Sequence, residues 1–501
     1  MIWVPAFAGM SGLWGEDLAK PSRHFTKQSM PDRPSVQPLA EIEARLARGE
    51  DGAELRYQKA GALAALGRRE EAQAAYLSAL ALQPDHFGAL NDLGTLLYQA
   101  DFRSAARTCY AEAVRYHPDN PVGHINLGNV LAAEDQADTA RASFEAALSL
   151  APDHPDAHLG MANLLQDLGR AEAAETHRRK GLVGRGILAQ PYRGEGDPCR
   201  VLLLVSASGG NVPTRFLLDD RTFAVFTLPV EAWTGAQALP DHDLVFNALG
   251  DADLGGEALD AAERVLGATS APVINPPARI RPTGRAAIAE RLAGIEGLVA
   301  PQVIRTPRET VRQAARRLGY PLLIRSPGFH TGRYFRKVED PAGLAAALAE
   351  LPGRDLLLIQ YLDARDDRDR WRKFRVMMVG GRLYPLHLAL SGDWKVHYFT
   401  ADMAENAAHR EAEAAFLADM PGVVGAKAMA ALEAVAERLG LDYGGIDFGL
   451  GAEGQVLLFE ANATMVVNPP DPDPRWDYRR APVDRILTAT RGLLLQRAAR
   501  P

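Results

Sequence analysis

The chain has 501 residues, 47% hydrophobic and 24% charged, with a formal net charge of −7, enough for roughly two to four domains with ordinary cores. The negative balance argues against a nucleic-acid surface. Two cysteines in separate regions, Cys109 and Cys199, exclude a disulfide framework and a cysteine zinc site and fit a reducing, cytoplasmic setting. No apolar run approaches the roughly 18 residues of a membrane span.

The opening "MIWVPAFAGM" is apolar, but no basic residue precedes it and Pro5 and Gly9 interrupt it, so it does not read as a signal peptide. Residues 1–36 mix Pro, Gly, Ser and scattered charge without a period, which predicts disorder. Met30 is an alternative start.

A repeat follows. Pro84, Pro118 and Pro152 are 34 residues apart, each followed by Asp; Ala72, Ala106 and Ala140 keep the same spacing, as do Gly94 and Gly128. Tyr76, Tyr110 and Phe144 come four residues after those alanines, and Ala79, Ala113 and Ala147 complete the frame. Small residues let two helices approach, and an aromatic one turn on fills the gap between them. Proline stops the second helix of each pair, because it has no N–H to donate. This pattern resembles the tetratricopeptide repeat, a unit of two antiparallel helices. Full repeats are expected at about 53–86, 87–120 and 121–154, with a degenerate fourth to about 185 and a capping helix at 39–49. The resemblance implies a peptide or protein ligand in a groove lined by first helices, where Asn91, Asn126, Asn129 and Asn163 are candidate contacts, although Asn is also common at such positions for packing reasons.

The stretch "VGRGILAQPYRGEGDPCR" (183–200) is rich in Gly and Pro and reads, over 186–198, as a linker. Beyond it the texture becomes α/β. "RVLLLV", "TFAVFTL", "DLVFNAL" and "APVINPP" are strand-like, and a helix over about 255–267 separates the last two, which gives a small parallel-sheet unit over 199–278. Helices at about 283–293 and 308–318, strands in 321–338, a strand at 355–363 and a hairpin on Gly380-Gly381 follow. Two helices then lead to a second hairpin in "YGGIDFGLGAEGQVLLFEANATM" (443–465) and a last helix at about 482–498.

In that second hairpin Asp447, Glu460 and Asn462 interrupt strands that usually exclude them. With "GAEG" (451–454) as the turn and Gln455 opposite Leu450, Leu458 faces Asp447. Asp447 and Glu460 are then a diagonal pair about 7–8 Å apart, on one face with Asn462. Two carboxylates at that separation can bracket divalent ions; a solvated edge hairpin is the plainer alternative.

The ordered set "DLVFNALGD", "VINPP", "LLIRSPGFHTGR", "LLLIQYLD", "FRVMMVGGRL", "LDYGGIDFGL" and "LLFEANA" resembles the ATP-grasp fold, close to glutathione-synthetase-like enzymes and ribosomal-protein glutamate ligases, over about 300 residues. The fold class expected is therefore multidomain: an all-α repeat solenoid over 37–185, an α/β pre-ATP-grasp unit over 199–278 and an α+β ATP-grasp domain over 279–501. The resemblance implies an ADP-forming carboxylate–amine ligase working through an acyl phosphate. Its cofactors would be ATP and Mg2+ (or Mn2+), its substrates a small-molecule or peptide carboxylate and an amine, and its assembly often a homodimer.

Residue by residue, the resemblance gives the metal to Asp447, Glu460 and Asn462. It gives the phosphates to Arg285 and Arg325, where the family usually has Lys, and to a closing loop over 326–333 with Gly328 and Gly332, in which His330 and Arg333 are candidate contacts. It gives adenine to Gln360, Tyr361 and Leu362, and the ribose to one of Asp363, Asp366 and Asp367 in the following charged loop, with Asp366 taken as the candidate. Arg375 would face the phosphoryl group, with Lys395 and His397 nearby. Arginine binds phosphate with two prongs but differs from lysine in reach. The segment "ATMVVNPP" departs from the family's Gly-rich turn, so no substrate carries over. Against this stands a non-catalytic interaction protein with a nucleotide-sensing or degenerate second half, a reading that the two arginines favour.

Overall fold

The structure, a computed structural model, describes residues 39–499 apart from 101, 185, 328–333, 397–400 and 472. The expectations for residues 1–36 lie outside the described residues. The chain divides into two compact units, the first ending at Val183 and the second beginning at Gly184.

Nine helices make up the described part of the first unit. After α1 (Leu39–Ala47) come the pairs α2 (Ala53–Ala65) and α3 (Arg69–Leu82), α4 (Phe87–Gln99) and α5 (Arg103–Tyr116), α6 (Pro121–Ala133) and α7 (Ala137–Leu150), and α8 (Pro155–Asp167) and α9 (Ala171–Leu182). The first helices of the pairs start at 53, 87, 121 and 155, which is the 34-residue period of the sequence. Ala72, Ala106 and Ala140 are fully buried, as are Ala79, Ala113 and Ala147, and the aromatics between them are enclosed. Phe144 shows why glycine recurs here: an added Cβ on Gly128 would lie 2.8 Å from its ring, and one on Gly160 2.4 Å. One aromatic thus wedges between α6 and α8 at a distance that only glycine allows. In the fourth pair the equivalent position is Arg178, which is 5% exposed and donates to Glu175. The cap α1 buries Ile42 against Leu55 and Ala62.

Two of the candidate asparagines are structural. Asn126 Nδ2 donates to Asn91 Oδ1 at 2.6 Å, Asn91 Nδ2 donates to Asp92, and Tyr57 donates its hydroxyl to Asp92. Asn91 and Asn126 are buried, whereas Asn129 and Asn163 are half-buried.

The second unit holds three sheets. Its parallel sheet orders β1 (Leu188–Ala189), β3 (Phe223–Pro229), β2 (Cys199–Val205), β4 (Leu244–Asn247) and β5 (Val273–Ile274) as β1-β3-β2-β4-β5, with β1 antiparallel at the edge. The segment read as a linker therefore contributes an edge strand, with Leu188 opposite Thr227. Helix α10 (Gly256–Leu266) packs on this sheet, and α11 (Pro277–Ile280) and α12 (Arg285–Leu292) lead out of it. A four-stranded antiparallel sheet orders β7 (Val303–Pro307), β10 (Asp355–Gln360), β8 (Leu322–Arg325) and β9 (Phe335–Val338) as β7-β10-β8-β9. With α13 (Val311–Leu318) and α14 (Pro341–Glu350) it encloses a core of its own.

The third sheet orders β12 (Arg382–Ser391), β11 (Trp371–Val379), β13 (Tyr443–Leu450), β14 (Val456–Asn462) and β6 (Leu298–Val299) as β12-β11-β13-β14-β6. Helices α15 (Ala407–Ala418), α16 (Met420–Val424), α17 (Ala426–Leu439) and α18 (Arg480–Ala498) complete the unit. One continuous core joins this sheet to the parallel one.

A buried polar knot fixes that junction. Asn275, just past β5 and at φ +53°, donates from Nδ2 to Tyr443 O and accepts at Oδ1 from the amides of Asp442 and Tyr443. Its own amide donates to Asp442, which also pairs with Arg279 and with Arg497 near the end of α18.

We predict that Phe144→Ala lowers the opening free energy of α6, α7 and α8 by about 3–5 kcal/mol through the cavity it leaves. Hydrogen exchange of their amides measures this; unchanged protection in those three helices would contradict the wedge.

Candidate functional site

The site is a row of side chains laid across four strands. Register places His387 of β12 opposite Arg375 of β11, Arg375 opposite Asp447 of β13, and Asp447 opposite Glu460 of β14. Directly opposed residues share a face, so four polar groups stand abreast on one side of the sheet. The expected register is corrected here. Leu450 faces Val456, and Phe448 faces Leu458, but Asp447 faces Glu460. The loop is one residue longer than the four-residue turn, and Phe459 bulges out. A second irregularity adjoins Arg375, where Leu386 is left unpaired between His387 and Pro385. Each bulge re-aims the row beside it. The acids are thus directly opposed instead of diagonal, and they share a face as expected.

Within the row Asp447 is nearly sealed from solvent, and Arg375 grips it with two prongs, Nε to Oδ1 at 2.5 Å and Nη2 to Oδ2 at 2.7 Å. Lys373 Nζ stands 2.9 Å from the same carboxylate. Burial works against the charged form of Asp447, but Arg375 and Lys373 outweigh it and hold the carboxyl far below the usual range. His387, beside Arg375, is pushed well below its ordinary value by burial and then by that guanidinium, so it is neutral at pH 7.

Glu460 is served from elsewhere. Arg285, the first residue of α12, donates to Glu460 at 3.0 Å and to Asp253 at 3.1 Å, and its amide also donates to Asp253. Asp253 lies in the loop after β4, where Asp251 accepts from the amides of Asp253 and Leu254. The Glu460 side chain keeps 31% of its surface exposed. Burial would raise its pKa, but Arg285, helped by Arg325 and Arg375 against the opposing Asp447, lowers it. Asn462 Nδ2 donates to Glu460, while its Oδ1 accepts from the amide and hydroxyl of Thr464.

Arg325 ends β8. Burial, and then repulsion from Arg285, push it down to about 10, with Glu460, Asp251 and Asp253 pulling the other way; it stays charged at pH 7. The structure therefore gathers Arg285, Arg325, Arg375, Asp447, Glu460 and Asn462 into one cluster, drawn from two sheets of the second unit and the start of α12.

Other candidates lie apart. Gln360 ends β10, with its Oε1 accepting from the Gln302 amide. Tyr361 accepts a hydrogen bond from Trp371 Nε1 and carries Lys337 over its ring at 4.1 Å, and Leu362 follows it on the way to β11. Asp366 is turned into its own loop, accepting from the amides of Arg368 and Arg370 and from the Arg370 guanidinium. Lys395 lies in the loop after β12. Burial, then Arg336 of β9, lowers its pKa. Its neighbour Trp394 packs edge-on against Phe335, whose ring also faces Arg325. Gly328, Gly332, His330, Arg333 and His397 lie outside the described residues.

Three contributors escaped the sequence reading. Lys373 sits two residues before Arg375, a strand alternation that could have revealed it. Asp253 and His387 have no local signal, because their partners are far away in the chain.

All three expected metal residues carry oxygen, the donor that a hard divalent cation requires, and the Asn462 oxygen already accepts from the amide and hydroxyl of Thr464. Two carboxylates and a carboxamide would leave further positions to water and phosphate. Among the described residues no group of three or more His, Cys, Asp and Glu side chains could hold an ion alone. Both carboxylates are already matched by the chain's own cations.

Residues 53–86 and 131–177 each match a family model described as tetratricopeptide repeat. The first unit is a tetratricopeptide-repeat array. Among solved structures, residues 41 to the end of MamA from Desulfovibrio magneticus RS-1 share 22% identity over 29% of this chain and 81% of that one, with a TM-score of 0.27. A thermophilic TPR protein from Thermus thermophilus shares 25% identity over 29% of this chain and 79% of that one, at 0.26. No curated protein matches the chain. No helix among the described residues is long and apolar enough to cross a membrane.

Asp447→Asn should destabilise the second unit by about 3–5 kcal/mol at pH 7, because it leaves Arg375 and Lys373 facing a neutral amide. Since the folded-state pKa of Asp447 is depressed, its contribution is complete above the unfolded value of about 4 and is lost as pH falls below it. The gap between wild type and variant in denaturant midpoint should therefore narrow between about pH 4 and pH 2. A gap that stays constant over that range would contradict the ion-paired row.

Proposed function

We propose that the second unit is an ATP-dependent, ADP-forming carboxylate–amine ligase of the ATP-grasp kind, and that the repeat array recruits its peptide or protein partner. The observation that carries this reading is the juxtaposition of Asp447 and Glu460 with Arg285, Arg325 and Arg375 in one cluster. Phosphoryl transfer demands positioned positive charge around the migrating group and little covalent help. Arg285 and Arg325 would hold the polyphosphate, and Arg375 would orient the carboxylate being phosphorylated. Asp447, Glu460 and Asn462 would hold Mg2+ or Mn2+, which when bound neutralises phosphate charge and fixes its geometry. The amine then displaces phosphate from the acyl phosphate, forming the C–N bond. Gln360, Tyr361 and Leu362 would line the adenine edge, and neutral His387 would stand beside Arg375 in the row.

The chain after Asn462 bears on the acceptor. Ala463, Met465 and Val467 are buried, and Tyr443 donates its hydroxyl to Met465 O at 3.1 Å. Recognition of the acceptor through a solvent-open glycine turn has no counterpart there, so residues outside this segment would select it.

The reading is tested by ADP release from Mg-ATP in the presence of pooled amino acids and short peptides. Wild type should release ADP in a pool-dependent way, and Glu460→Gln should lose about 100-fold. Equal release by both proteins would overturn the assignment. One observation favours a second reading: Arg285 bridges Asp253 and Glu460 with both prongs, as a structural tie in a nucleotide sensor or relic would. A thermal shift with Mg-ATP but no product from any pool would favour the sensor, and no shift at saturating nucleotide would favour the relic.

A further inference from the structure

The last helix pair of the repeat array carries a feature that its siblings lack. His158 of α8 and His177 of α9 bring their Nδ1 atoms to 2.9 Å, with ring centroids 5.0 Å apart and planes at 58°. One repeat earlier the same places hold His124 and Ser143, so no such pairing arises there. His158 is 3% exposed and His177 half-buried, which leaves the pair open on the α9 side.

Two Nδ1 atoms at this separation form a hydrogen bond through one shared proton, and the same separation suits two ligands whose lone pairs converge on one cation. For metal–nitrogen bonds of about 2.0–2.1 Å, two ligands at a right angle stand about 2.9 Å apart, whereas tetrahedral ligands stand about 3.3 Å apart. We propose that His158 and His177 form a two-histidine chelate for a divalent transition metal of square-planar or octahedral preference, copper(II) or nickel(II). The protein supplies two nitrogens and water the remaining positions, since no third His, Cys, Asp or Glu ligand joins them among the described residues. Burial pushes both imidazoles below their ordinary values, which keeps them neutral and able to ligate near pH 7. Asp153 lies near enough to His158 to favour a cation, while Lys180 opposes it at both rings. Binding would pin α8 to α9 in the one pair where Arg178 replaces the interlocking aromatic.

The test uses the full chain without an affinity tag, stripped with EDTA and titrated with copper(II). Wild type should bind one equivalent whose electron paramagnetic resonance signal shows coupling to two nitrogens. His177→Asn, at the more exposed of the two positions, should weaken that equivalent by about ten-fold or more. Equal affinity in both proteins would mean adventitious binding by other histidines and would overturn the proposal. So would a wild type without stoichiometric binding, which would leave only a proton-sharing pair. The nitrogen count is read on wild type alone, so a misfolded variant does not blunt the test.

Discussion

The second unit hangs on the buried contact between Asn275 and Asp442. Asn275 uses its amide, its side-chain oxygen and its side-chain nitrogen on two consecutive residues of the neighbouring sheet. The positive φ that it adopts to do so is one that asparagine tolerates better than most residues. Asp442 answers with its carboxylate and two arginines, and its carbonyl accepts from Gly380 at the turn between β11 and β12. The parallel sheet, the start of β13, the β11–β12 turn and the C-terminal end of α18 are thereby set against one another at a single point. The loop carrying Asp251 and Asp253 comes from the first of these parts, and Asp447 from the second. Without the knot, the acids and cations of the cluster would have no common frame.

Given that frame, charge balance shapes the site. Four acids, Asp251, Asp253, Asp447 and Glu460, meet four cations, Arg285, Arg325, Lys373 and Arg375. Buried charges survive only when paired, and the pairing is uneven. Asp447 has two cations almost to itself, Arg285 is split between two acids, and Arg325 sits where burial and Arg285 act against its charge. The Arg325 end of the cluster is where added negative charge would gain most. The Asp447 end is where an added cation would have to displace partners already in place.

The repeats were legible almost completely, because helix packing writes itself into sequence at a fixed period. Ala72, Tyr76 and Ala79 recur as Ala106, Tyr110 and Ala113 and occupy equivalent buried places. The degenerate fourth pair was visible as a fading of that frame, though nothing local announced that Arg178 would take the aromatic's place. Long apolar strands of the second unit were equally plain. The strands that were missed, Leu188–Ala189 and Leu298–Val299, are two residues each and sit beside Gly and Pro, too short for any alternation to show. The row itself was half legible. Asp447, Glu460 and Asn462 stood out as polar residues in strands, but their register did not, since a bulge adds one residue without changing composition.

Those bulges explain why the row works as a unit. An unbroken antiparallel ladder from Leu450–Val456 would set Asp447 opposite Phe459, and the acids would then lie on different faces. Extruding Phe459 restores Glu460 to the side of Asp447, and leaving Leu386 unpaired brings His387 opposite Arg375. Both irregularities fall at the same level of the sheet, on either side of the β11–β13 pair that carries the two-pronged Arg375–Asp447 ion pair. The partial exposure of Phe459, at 39%, is the cost of that arrangement: its ring packs over Gly449 but stays partly in solvent while the two carboxylates stand abreast. A ladder arranged for packing alone would bury more of that ring and set the charges on opposite faces, so the two bulges favour the polar row at a cost in packing.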